Sequence, residues 1–66
     1  MIDEKVIQTW SSERKNLIRT TIRNEMKFVK DDELPRGKLI SFLKAQKCLK
    51  DKVVPEDFEK LLEALN

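Results

Sequence analysis

Histidine and tyrosine are absent from the 66-residue sequence, and cysteine occurs once. Without histidine the chain has no Ser-His or Cys-His pair, the commonest arrangements for nucleophilic catalysis. A single cysteine forms no intrachain disulfide, and a zinc site built from cysteine and histidine is excluded with it. Cys48 has lysines close by in sequence, but a small hydrophobic residue near the end of a helix is the favoured interpretation. The sequence therefore predicts a protein that is not an enzyme and has no metal site and no cofactor.

Glycine is as rare as cysteine, with one residue of each, and long apolar runs are missing. One glycine in the whole chain leaves few positions for hairpin turns, which argues against an all-β fold. No apolar run approaches the roughly 18 residues of a membrane span, and the N-terminal residues do not resemble a secretory signal. We therefore expect no membrane association and an intracellular location, either cytoplasmic or nuclear.

The residues that are abundant favour helices. Leucine, lysine, glutamate and arginine dominate the composition, and all four are good helix formers. A first short helix is predicted from the apolar spacing between Ile2 and Trp10. Ser11-Ser12 then fits a helix N-cap, although one helix running through both serines is an alternative. A second helix is predicted from about Glu13 to Lys30.

Two further helices follow, each introduced by a proline. Pro35 favours a new start after the acidic run 31–33, which we expect to cap a third helix. Pro55 and the acids after it are a strong start signal for a fourth. The predicted fold is all-α, a compact bundle of three to four short antiparallel helices, with residues 1–66 forming a single domain. Its predicted core consists of Val6, Trp10, Ile18, Ile22, Met26, Leu39, Leu43, Phe58, Leu62 and Leu65.

Charge is unevenly distributed although the net charge is only +2. Bases recur every four residues along the second helix, and residues 35–54 are also rich in lysine. This pattern predicts either the solvated face of an ordinary amphipathic helix or a stripe that follows nucleic-acid phosphates. The nucleic-acid alternative is a small regulator of helix-turn-helix-like type. Its contacts would come from Lys15, Arg19, Arg23, Lys27, Arg36, Lys38, Lys44 and Lys47.

Aromatic residues at the margins of two helices support a different function. Phe28 and Phe42 lie at the edges of their apolar faces, and a chain of this length cannot easily surround every aromatic ring. Exposed aromatics beside arginine and lysine are typical of the centre of an interface.

The favoured prediction is accordingly a protein–protein interaction module, a regulator, adaptor or docking domain that binds an acidic or amphipathic partner segment. Phe28, Phe42 and Leu49 would supply affinity, while Arg19, Arg23 and Lys27 would orient the partner. Homodimerisation through an exposed leucine edge of the fourth helix is a further alternative.

Overall fold

The computed structural model describes all 66 residues. The first two helices of the chain each have a side-chain cap at the N-terminus. Helix α1 spans Glu4–Gln8, and Oδ1 of its N-cap Asp3 accepts a bond of 3.4 Å from the amide of Val6. Helix α2 spans Ser12–Met26, and Oγ of its N-cap Ser11 accepts one of 3.2 Å from the amide of Arg14. Ser11 thus separates two helices, so the predicted break is confirmed and a continuous helix is excluded.

Helix α2 ends four residues earlier than the apolar spacing predicts. The amide of Phe28 bonds to the Glu25 carbonyl oxygen at 3.3 Å, and that of Val29 bonds to Met26 at 3.2 Å. These bonds reach back only three residues, which is how a helix tightens and closes its last turn. The predicted end at Lys30 was wrong because Val29 stays half-buried and so continues the apolar pattern beyond the helix.

The remaining helices are α3, Gly37–Ala45, and α4, Glu56–Ala64, and neither has a side-chain cap at its start. The N-cap of α3 is Arg36, preceded by the buried Pro35. The prediction that acidic residues 31–33 cap this helix was therefore wrong. They lie exposed in the connection, too far ahead of Gly37 in the chain for N-cap geometry.

The N-terminal segment pairs with the chain that follows α3. An isolated antiparallel bridge joins Ile2 to Leu49. It is held by bonds of 2.8 Å from the Asp3 amide to the Cys48 carbonyl oxygen, and from the Lys50 amide to that of Met1. Residues that are far apart in sequence thereby become neighbours at one end of the bundle.

The structure confirms the predicted fold class, but its buried residues differ in part from the predicted core. The structure is an all-α bundle of four short helices without named strands, as the composition predicts. Six of the ten predicted core residues are buried, whereas Val6, Trp10, Met26 and Leu62 are only half-buried. The predicted core lacks four residues that are buried, namely Ile7, Cys48, Leu49 and Leu61. Their burial depends on the bridge to Ile2 and on the rotation of the short helices, and neither follows from local spacing. The buried hydrophobic residues are Ile7, Ile18, Ile22, Leu39, Leu43, Cys48, Leu49, Phe58, Leu61 and Leu65.

Candidate docking surface

The outward side of α2 exposes two large apolar side chains. Phe28 is 83% exposed and Leu17 is 67% exposed, the two highest values among the large hydrophobic residues. Eleven residues separate them, so helical geometry places them on nearly the same side, about 16 Å apart along the axis. The tight turn after Met26 continues the right-handed helical path to Phe28. Phe28 and Leu17 therefore share one outward-facing strip.

The sequence pattern already contained a signal for Leu17. Its register matches that of Phe28 and differs from that of Ile18 and Ile22, which are buried. An apolar residue in the register of an exposed aromatic belongs to the same outward strip. We call Leu17, Phe28 and the exposed bases Arg23 and Lys27 the α2 surface.

Solvent exposure differs among the four bases of the predicted stripe on α2. Arg23 and Lys27 are exposed and form no ion pair, whereas Lys15 and Arg19 are half-buried. Arg19 donates from Nη2 to Oδ1 of Asn16, and its buried Nε has no hydrogen-bond partner. A repeat of four residues drifts around the helix by about 40° per step, so the four bases of the stripe differ in exposure.

The other predicted docking residues fall into two groups. Phe42 on α3 is 36% exposed, which leaves part of its ring accessible. Leu49 is 2% exposed because its bridge to Ile2 draws it into the core, so the prediction that it supplies affinity was wrong.

Two leucines at α4 are buried, namely Leu61 and the C-cap Leu65, and Leu62 is half-buried. Leu62 is therefore the leucine of α4 that remains partly accessible for homodimerisation through this helix.

The connection between α2 and α3 bears on the nucleic-acid alternative. Residues 27–36 separate the two helices, a stretch of ten residues rather than the predicted short turn. A DNA-binding helix-turn-helix uses a turn of about 3–4 residues to fix the recognition helix. Arg36, the last residue of this connection, is exposed, and so are Lys38, Lys44 and Lys47 on and after α3.

A cation–π contact and a hydrogen bond position the N-terminal half of α2. The guanidinium of Arg14 lies 5.0 Å from the centroid of the Trp10 ring, and its Nη2 donates to Oε1 of Gln46. These contacts connect the α1–α2 corner to the end of α3. They hold the exposed Arg14 guanidinium at this corner, whereas Arg23 and Lys27 are exposed and have no ion pair.

Cys48 is buried against the end of α3, as its interpretation as a small hydrophobe predicts. Its thiol donates to the Leu43 carbonyl oxygen at 3.4 Å. Burial raises the pKa of Cys48 to about 11, and a backbone hydrogen bond and the Arg14 charge only partly oppose this shift. A thiol with such a pKa stays protonated at neutral pH and is a poor nucleophile.

Asp57 is the one buried charged residue, and sequence reasoning assigned it only a helix-dipole role. Its Oδ2 accepts bonds from the Met1 α-ammonium at 2.7 Å and from the Val54 amide at 2.9 Å. The ammonium also donates to the Lys52 carbonyl oxygen at 2.8 Å. Burial by itself raises the pKa of Asp57, but these partners, with a contribution from Lys60, lower it below its ordinary value.

No cluster of three or more candidate metal ligands occurs in the structure. None of the four helices has the length and hydropathy that a bilayer span requires. Comparison of the chain with protein-family models, with curated proteins and with solved structures gives no match.

Proposed function

We propose that this protein is a non-enzymatic protein–protein interaction module that works inside the cell as a regulator, adaptor or docking domain. The observation that carries the proposal is the 83% exposure of Phe28, in a chain whose other phenylalanines are at least partly covered. Aromatic side chains dominate binding energy when a partner buries them. Phe28 contributes little to this fold, and a partner gives its ring an apolar environment.

The partner segment has a chemistry set by the surroundings of Phe28. Arg23 and Lys27 are exposed and lack ion pairs, so an acidic segment gains from both charges. Leu17 extends the apolar strip along α2, which suits the apolar side of an amphipathic helix. Phe42 adds a second, smaller aromatic contact from α3.

The first test compares Phe28→Ala with Leu34→Ala in affinity capture from cells of the source organism. Leu34 is 45% exposed and lies outside the α2 surface, so it is a matched control for losing an apolar side chain. We expect a protein that the wild type and Leu34→Ala retain and Phe28→Ala loses. Equal retention by all three chains would contradict a docking role for Phe28.

A second arm tests the charge contribution with the captured partner. Changing Arg23 and Lys27 together to glutamate should slow association, and the slowing should shrink as salt is raised. Lys38→Glu with Lys44→Glu carries the same charge change on α3 and should have a smaller effect. An equal effect of both pairs would indicate attraction by overall charge instead of an oriented contact.

Binding of duplex DNA is the second candidate, and the exposure of all four bases at positions 36, 38, 44 and 47 favours it. A titration of ¹⁵N-labelled protein with random-sequence duplex at about 100 mM salt, where the Debye length is about 10 Å, tests it. Amide shifts clustered on 15–30 and 36–47 that fade with added salt would support this candidate. An unchanged spectrum would exclude it and leave the protein partner.

A further inference from the structure

A shallow cleft of about 760 Å³ lies where the N-terminal segment meets the start of α4, and none of its lining residues belongs to the α2 surface. Seven of the ten lining residues are charged, and only three are hydrophobic. Most small-molecule pockets are lined mainly by apolar side chains. The cleft therefore differs from such pockets in the number of charged groups that it offers to a ligand.

Positive charge exceeds negative charge in the cleft. Four lysines and the Met1 α-ammonium face three carboxylates. Two of these carboxylates are already paired within the protein, Asp57 with the α-ammonium at 2.7 Å and Asp3 with Lys50 at 3.6 Å. Lys5, Lys52 and Lys60 form no ion pair; the carboxylate of Glu4 opposes them within the cleft, and that of Glu63 lies beside Lys60 in the adjoining hollow. The uncompensated charge is thus positive and concentrated at a concave surface, which raises the local concentration of anions.

The three unpaired lysines come from separate segments that the fold holds together. Lys5 is on α1, Lys60 is on α4, and Lys52 is in the α3–α4 connection. The α-ammonium bond to the Lys52 carbonyl oxygen, at 2.8 Å, ties that connection to the N-terminus. Asp51, in the left-handed conformation at φ 57°, reverses the chain between Lys50 and Lys52. The backbone of the cleft is therefore organised before any ligand binds, which lowers the entropic cost of binding.

We propose that this cleft binds a small soluble oligophosphate, an anion carrying several phosphate groups. Lysine ammonium groups bind phosphate as point charges and need no fixed planar geometry. A single phosphate neutralises fewer charges than three separate lysines offer, whereas a chain of phosphates reaches more than one of them.

The test is a titration of ¹⁵N-labelled protein with sodium tripolyphosphate and, separately, with adenosine triphosphate, each at constant ionic strength. We expect saturable amide shifts around 1–5, 50–54 and 57–60, with a Kd of about 1 mM or below. Equal affinity for the two probes indicates recognition of the phosphate chain, and tighter binding of the nucleotide indicates an added contact with the nucleoside. Absence of saturation with both probes would overturn the proposal.

Two matched triple variants distinguish the cleft from general electrostatic attraction. Lys5→Gln, Lys52→Gln and Lys60→Gln together remove three charges from the cleft. Arg23→Gln, Lys27→Gln and Lys30→Gln remove the same number from α2 and its end. The cleft variant should bind at least about ten-fold more weakly and the α2 variant less than about three-fold, since charges beyond a Debye length are screened. Equal weakening by the two variants, with circular dichroism showing both folded, would overturn the site.

Discussion

At the scale of single residues, Asp57 is the side chain on which the N-terminal end of the fold depends. It is 4% exposed, and both the Met1 α-ammonium and the Val54 amide donate to its Oδ2. A buried carboxylate is tolerated only when it is paired and hydrogen-bonded. Oδ2 of Asp57 consequently joins the start of α4 to Val54 in the preceding connection and to Met1 at the start of the chain.

Asp57→Asn should lower the free energy of unfolding by about 1–2 kcal/mol, because charge-assisted bonds become neutral ones. Glu59→Gln is the matched control, since Glu59 is exposed in the same first turn of α4. That change should stay within about 0.5 kcal/mol. Urea unfolding at pH 7 measures both, and equal losses would mean that the pairing of Asp57 contributes nothing specific.

The contribution of Asp57 to the free energy of unfolding should also depend on pH. The pKa of Asp57 is lowered in the folded chain, so its stabilisation is present above the unfolded-state value of about 3.9. The stabilisation is lost as the pH falls through the lower, folded-state pKa. The difference in unfolding free energy between wild type and Asp57→Asn should therefore shrink between pH 5 and the acid limit of folding. A difference that does not change with pH would refute the ionic contribution.

Cys48 should affect the free energy of unfolding at alkaline pH, whereas Asp57 affects it at acid pH. Its folded pKa is about 11, whereas an unfolded thiol ionises near 8.5, so the unfolded state loses its proton first. Stability should fall from about pH 8.5 towards 11, at a slope of at most about 1.4 kcal/mol per pH unit. Cys48→Ala should flatten this contribution while it lowers stability at every pH by leaving a small cavity. Parallel curves for the two proteins from pH 7 to 10.5 would contradict the burial of the thiol.

At the scale of elements, the ends of helices account for most differences between prediction and structure. Sequence identified Ser11 as a cap because hydroxyl side chains at that position have a direct local partner. The end of α2 and the burial of Leu49 could not be predicted in this way. Both depend on contacts across the fold, the half-burial of Val29 in one case and the bridge to Ile2 in the other.

The end of α3 offers a test of how helix termination affects stability. Lys47 follows the C-cap Gln46 with φ 67°, a left-handed conformation at a position where glycine is usual. Lys47→Gly should raise the free energy of unfolding by about 0.5–1 kcal/mol, because the strain of a side chain at positive φ is removed.

Lys44→Gly, three residues earlier and inside α3, is the control. It should lower stability by about 1 kcal/mol, since glycine is unfavourable within a helix. Thermal unfolding of the two variants beside the wild type decides the sign. Destabilisation by both would show that Lys47 has contacts that outweigh the strain of its backbone.

At the scale of the whole molecule, the fold leaves two phenylalanine rings outside its core, and Phe28 is much the more exposed of the two. The all-α class followed from composition and helical spacing; α1 was predicted from its apolar spacing, and α4 from its start signal and spacing. Phe28 could be predicted as marginal from its register, but its 83% exposure depends on where α2 ends. The residue types of the α2 surface could thus be read from the local sequence. Their accessibility depends on the tertiary structure.

Phe28 and Phe58 should differ sharply in their contribution to stability. Phe58 is 1% exposed, and Phe58→Ala should cost about 3–5 kcal/mol, enough to unfold much of a chain this small. Phe28→Ala should change the free energy of unfolding by less than about 0.5 kcal/mol. Circular dichroism during thermal unfolding compares them, and a large loss for Phe28→Ala would place its ring in the core.

The most direct test of the docking proposal is photo-crosslinking in cells of the source organism, with benzoylphenylalanine at position 28. Position 59, exposed on α4, carries the same group as a control. We expect a discrete adduct with another protein from position 28 that is absent from position 59 and is reduced when Arg23 and Lys27 are glutamate. Folded protein that gives no more adduct from position 28 than from position 59 would contradict it.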